Sequence, residues 1–194
     1  MRAFFPYLAQ AIAAVVAITI HEFTKALVST ALNDKTPGEK GRLTLNPLKH
    51  LEFFGFFTMW FFGLGWGKPV ETTPMYYKDR RMGTLLTNFT PIIVNIFFGF
   101  LFAYILRLFA NSYEALTMLH RIAFYNFTLA LFNLIPVYPL SGAKILGLFL
   151  SPNAALSMSR YEKIFQIILL VAIFLGFLSS IINPAANFLL VLAL

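Results

Sequence analysis

Apolar stretches too long for any ordinary soluble element constrain this chain first. Residues 4–32 and 84–109 each exceed the ~20 apolar positions a helix needs to cross a bilayer core. Lipid offers no partner to backbone N–H and C=O groups, so such stretches fold as helices. The composition agrees: 59% of residues are hydrophobic and 12% are charged, where soluble domains carry about 25% charge. The expected fold class is an all-α polytopic membrane protein. No tandem repeat or linker divides residues 1–194, so a single transmembrane domain is expected.

Residues 53–65 are strongly aromatic but too few to cross, because about 13 residues make roughly 20 Å of helix against a core of about 30 Å. They read as a re-entrant or interfacial segment, which puts the loops at 33–52 and 66–82 on one membrane face. Those loops hold Lys35, Lys40, Arg42, Lys49, Lys68, Lys78, Arg80 and Arg81, eight of the fifteen Lys and Arg residues. The positive-inside rule assigns that face to the cytoplasm, and a bacterial-type cytoplasmic membrane is the expected location. Residues 84–109 then cross outward, 111–121 form an external loop, and 122–150 return. Residues 164–178 cross again, before a short final segment at 181–194 interrupted by Pro184. The net charge of +7 thus encodes orientation, and no nucleic-acid partner is expected. Residues 41–46 alternate Arg42, Thr44 and Asn46 with Leu43 and Leu45, which reads as a short strand closed by Pro47. The first apolar segment lacks a small-residue cleavage pattern and is not read as a removable leader.

That first segment carries His21, Glu22 and Lys25. His-Glu opens the zinc helix motif His-Glu-x-x-His. There, two imidazoles on one helix face hold the metal and the glutamate takes a proton from metal-bound water. The fifth position here is Lys25, and a charged ammonium has no lone pair to give a metal. With no cysteine in the chain, thiolate sites are excluded as well. A second feature is the run Asn133-Leu134-Ile135-Pro136-Val137-Tyr138-Pro139-Leu140-Ser141-Gly142. Its prolines break a helix inside the membrane. The freed backbone groups are tolerated only within protein or beside a wet cavity, so an internal polar pocket is expected.

Taken in order, several spans resemble the site-2 protease family of intramembrane zinc metalloproteases, in its short form. They are His21-Glu22, Gly41-Arg42-Leu43-Thr44-Leu45-Asn46-Pro47, Lys68-Pro69-Val70, Pro91 with Asn95, and Asn133-x-x-Pro136-x-Pro139-Leu140-x-Gly142. The resemblance covers nearly the whole chain. It implies a helical core with a small strand element after the first helix and a broken helix. It also implies an active site that cuts transmembrane segments of other proteins. By position, His21 matches the first zinc ligand and Glu22 the base. Lys25 stands where the second histidine belongs, and Ser141 where an aspartate ligand belongs, so two of three ligands are replaced.

Lys25 at i+3 from Glu22 suggests a neutral Glu22–Lys25 pair in place of a metal cluster, with Ser141 removing an anion that would lack a partner. The same residues admit other roles: a structural ion pair, Ser141 as N-cap of a half-helix at 142–150, or zinc held by His50 with Glu52. A serine–lysine dyad of Ser141 with Lys25 or Lys144 is a further alternative. The aromatic run at 53–62 suits lipid packing, or a substrate gate. The function expected is that of a catalytically inactive homologue, a pseudoprotease. It would bind or regulate membrane-protein clients, whose unwound segments pair by β-augmentation with residues 41–46. In that reading Glu22 is a vestigial base and His21 a vestigial ligand. Lys25, Ser141, Asn95, Asn133, Pro136, Pro139, Leu43 and Asn46 form the binding set. The expected partners are the lipid bilayer and client transmembrane segments. No cofactor is expected; zinc belongs to the alternative of a working metalloprotease with a non-standard ligand set. A structural membrane subunit is the third alternative.

Overall fold

A computed structural model describes residues 4–109 and 111–194. Its helices in chain order are α1 (Phe5–Ala31), α2 (Thr36–Glu39), α3 (Phe53–Phe62), α4 (Arg80–Phe109), α5 (Tyr113–Asn133), α6 (Ser141–Gly147), α7 (Pro152–Arg160), α8 (Glu162–Phe174) and α9 (Phe177–Ala193). α1 and α4 are each long and apolar enough to cross a membrane. α8 and α9, bent by 72° at their junction, supply a third crossing if taken as one span. Gly176 makes that bend at φ 74°, a left-handed conformation that costs glycine little. The protein is thus an integral membrane protein of nearly all-helical structure.

α1, α4 and α5 pack on one another, with α9 against α5. Their shared core sets Ala13, Ala14, Ala17 and Ile18 of α1 against Ala103 of α4, and against Ala123 and Phe127 of α5. Small residues matter here because lipid is as apolar as leucine. Close backbone approach, and the dispersion it allows, is what holds such helices together. The alanine stripe ends at His21, one turn beyond Ala17, so close packing carries the polar residues of α1 straight into the bundle interior.

α3 has 10 residues, about 15 Å of helix, which agrees with a segment that does not cross. The Glu52 carboxylate caps its start, accepting from the N–H groups of Phe54 at 3.2 Å and Gly55 at 2.7 Å. Gly63 ends it in the left-handed conformation. The returning chain lies so close to α3 that a Cβ on Gly55 would stand 2.1 Å from the Trp66 carbonyl oxygen.

Three expectations are corrected. No strand forms at residues 41–46; among the described residues there is a single antiparallel bridge, Leu51 with Gly67. Side chains satisfy the backbone instead. The Arg42 guanidinium donates to the carbonyls of Lys68 at 2.6 Å and Pro69 at 3.1 Å, and His50 Nε2 donates to Thr44 O at 2.6 Å. Leu43 and Leu45 are left exposed, so the alternation reflects no buried sheet face. The expected external loop at 111–121 is helical from Tyr113, with Ser112 capping through the Ala115 N–H at 3.1 Å. Glu114, His120 and Arg121 lower the hydropathy without breaking the helix. Finally, the half-helix expected at 142–150 is α6, which stops at Gly147, and α7 follows as a separate helix.

Candidate functional site

His21, Lys25 and Ser29 recur every fourth residue of α1 and share one face, with Glu22 beside them. All four are buried. Asn95 of α4 organises the upper part of this face. Its amide NH2 donates to Asn126 Oδ1 at 2.8 Å and to Ala17 O at 3.2 Å. Its Oδ1 is therefore the acceptor for His21 Nδ1–H at 2.8 Å, which leaves the His21 lone pair on Nε2. Asn126 closes the network by donating to Ile122 O at 2.8 Å.

Asn133 spans the break between α5 and α6. Its Nδ2 donates to Leu129 O at 3.0 Å, and its Oδ1 accepts from Ser141 N at 3.4 Å. The broken helix thereby delivers the Ser141 hydroxyl to α1, where Lys25 Nζ donates to it at 3.4 Å. That length is long for a hydrogen bond, so the contact counts chiefly as placement. Leu140 holds the cap position of α6 and Ser141 makes no side-chain cap bond, which corrects the capping role. The expected Glu22–Lys25 ion pair is also absent. Among the described residues the one ion pair within bonding reach is Lys40 with Glu71. Glu22 Oε2 instead accepts the Val70 N–H at 3.0 Å. Polar groups inside a membrane bundle are costly to leave unpartnered, and this contact gives the Glu22 carboxylate a partner.

The pieces enclose a cavity of about 10 Å³, lined on its polar side by His21, Glu22, Lys25, Asn133 and Ser141, and walled by Trp66, Pro139 and Leu140. That is room for about one water. The sequence-derived candidates divide accordingly. His21, Glu22, Lys25, Asn133, Pro139 and Ser141 meet at this cavity, and Asn95 supports it from behind. Pro136, Leu43 and Asn46 are exposed and do not line it.

Zinc does not fit this donor set. Of the groups around the cavity, only the His21 Nε2 lone pair and the Glu22 carboxylate are metal donors, and Lys25 and Ser141 offer an ammonium and a neutral hydroxyl. Among the described residues no three His, Cys, Asp or Glu side chains gather where they could hold a metal. His50 donates through Nε2 to Thr44 O and so keeps a buried, unpartnered lone pair on Nδ1, but Glu52 is committed to capping α3 and the two do not gather with a third donor among the described residues.

A second buried network joins the end of α1 to the loops. Asp34 accepts from Ser29 Oγ at 2.8 Å, Thr36 N at 3.0 Å and Thr73 N at 2.7 Å. Tyr77 and Thr87 continue it from Ser29. Burial pushes the Asp34 carboxyl up, but the hydrogen bonds from Thr36, Thr73 and Ser29 outweigh it and hold the group below its ordinary value. Asp34 reads in sequence only as a helix-stop residue, and Asn126 gave no motif. Its one signal was an amide in an apolar helix.

No protein-family model matches the chain, and no solved structure matches it. It is 31% identical over 191 residues to the "Putative zinc metalloprotease YwhC" of Bacillus subtilis (strain 168), an alignment that covers 94% of this chain and 86% of that protein. Identity at that level along almost the full length of both chains shows that this membrane protein belongs to the metalloprotease-like family of YwhC.

Proposed function

We propose that the protein is a metal-free member of the site-2 protease line, a pseudoprotease that binds or regulates membrane-protein clients without cutting them. One observation carries this reading: the donor from Lys25 to Ser141. The two positions at which the resemblance expects zinc ligands touch each other directly. The ammonium stands in for the metal as the link between α1 and α6. Glu22, the expected base, takes an amide N–H from Val70.

The client is a transmembrane segment that reaches the cavity from the lipid. A groove of about 310 Å³ between α3 and α8, lined by Phe54, Ile167 and Leu170 with Glu52 and Lys163, ends at Trp66. Trp66 also walls the one-water cavity, which supports its acting as the partition between lipid and site. The test is site-specific photo-crosslinking in native membranes, with the reactive residue at Trp66 or at Ile167. Capture of a membrane-embedded polypeptide at both positions is expected. Capture at neither, in a protein that still folds, overturns the client role and favours a structural subunit.

The Lys25–Ser141 contact also favours a second reading, with Ser141 as nucleophile and Lys25 as its base. Against it, the Ser141 amide is directed at Asn133 and is not free to stabilise an oxyanion. Fluorophosphonate labelling of the protein that is lost in Ser141→Ala would establish this alternative.

A further inference from the structure

We propose that the end of the bundle opposite the basic loops binds an anionic phospholipid. A cavity of about 730 Å³ opens there between the first turn of α1, the last turn of α4, the first turns of α5 and the end of α9. Its lining is divided in character. Arg107 of α4 and Arg121 of α5 line it with His120 and Tyr113, and Leu106, Leu116 and Leu194 supply apolar lining.

Depth fixes what such a cavity meets. α1 has 27 residues, so it is about 40 Å long, close to the ~40–45 Å of a bilayer with its headgroups. Pro6, in its first turn, lines the cavity. The cavity therefore lies at headgroup level, with acyl chains beside its apolar lining.

Charge identifies the occupant. Among the described residues, neither arginine has an ion-pair partner, and neither they nor His120 have a side-chain hydrogen bond. Glu114 of α5 does not line the cavity, and Leu194, which does, makes no ion pair with either arginine. Two guanidinium groups without an ion-pair partner among the described residues, at phosphate depth in a cavity with apolar lining, complement a phosphodiester with hydrocarbon tails. A zwitterionic headgroup would bring a second cation into the same space. Basic pockets between membrane helices bind anionic headgroups in this way, and guanidinium is the side chain best shaped for a phosphate. The site is independent of the cavity at His21 and of the client role.

The experiment uses the full chain in lipid-free detergent micelles. The protein is titrated with phosphatidylglycerol, phosphatidylcholine or soluble glycerol phosphate, with retained lipid read by native mass spectrometry and stability by thermal unfolding. Phosphatidylglycerol is expected to be retained and to raise Tm, and the other two are not. Arg107→Gln with Arg121→Gln should weaken phosphatidylglycerol binding roughly thirty-fold, about fivefold for each charge lost. Arg107→Lys with Arg121→Lys should keep most of the binding, which covers the case in which the glutamine pair fails to fold. Equal retention of phosphatidylcholine by the unaltered protein would overturn the proposal. So would glycerol phosphate binding as well as the lipid, or a folded glutamine pair with undiminished affinity.

Discussion

Replacing Asn95 by leucine removes one amide and disconnects three partners at once. Asn95 is fully buried, so no solvent takes its place, and leucine is near enough in volume to leave little void. The loss comprises the bond from His21 Nδ1, the bond to Asn126 Oδ1 and the bond to Ala17 O. Polar contacts between membrane helices average about 0.6 kcal/mol and reach about 1.7 kcal/mol. Three of them predict a loss of about 2 kcal/mol, with about 5 kcal/mol as the ceiling. The assay is reversible unfolding in mixed micelles containing a denaturing detergent, followed by circular dichroism. Asn126→Leu alone and in combination completes a double-mutant cycle, and a coupling energy above about 0.5 kcal/mol is expected for groups in direct contact. A change below about 0.5 kcal/mol for Asn95→Leu, or no coupling to Asn126, would refute the network and with it the placement of His21.

Three further outcomes follow from other parts of the structure. Asp34 is held below its ordinary carboxylate value in the folded state, so its contribution is complete above that ordinary value and is lost as pH falls through the depressed one. Acid unfolding of Asp34→Asn should show a flatter limb there, and an unchanged limb would count against the network. Gly55→Ala forces a Cβ to within 2.1 Å of the Trp66 carbonyl; a destabilisation of about 1–3 kcal/mol and a shift in tryptophan emission should accompany it, and neither would appear if α3 and residues 64–67 were farther apart. Lys25→His with Ser141→Asp supplies an imidazole and a carboxylate beside His21 and Glu22. Zinc binding by equilibrium dialysis is expected for the double variant and not for either single one. A double variant that binds none would show that the cavity no longer admits the metal.

Much of the frame was legible because it follows from strong, local physics. The apolar lengths of α1 and α4, the shortness of α3 and the interruption at Pro136 and Pro139 all rest on what lipid does to unpaired backbone. The polar pocket behind the break followed from the same rule. Residues 41–46 misled because alternation of polar and apolar residues encodes a strand only when a partner backbone is free. Here the Arg42 side chain takes the carbonyls of Lys68 and Pro69, and the His50 side chain takes that of Thr44. The pairing of Glu22 with Lys25 misled for a related reason. Helical spacing brings the residues near, but Val70 and Ser141, distant in sequence, decide where each side chain turns. The link between Lys25 and Ser141 spans 116 positions, and no local pattern in either segment announces it.

Elemental analysis of the protein purified without chelator tests the central claim most directly. An ammonium at Lys25 and a hydroxyl at Ser141 predict zinc far below one equivalent per chain, unchanged by Glu22→Gln. One tightly held zinc per chain, lost when His21 is replaced by alanine, would contradict the account.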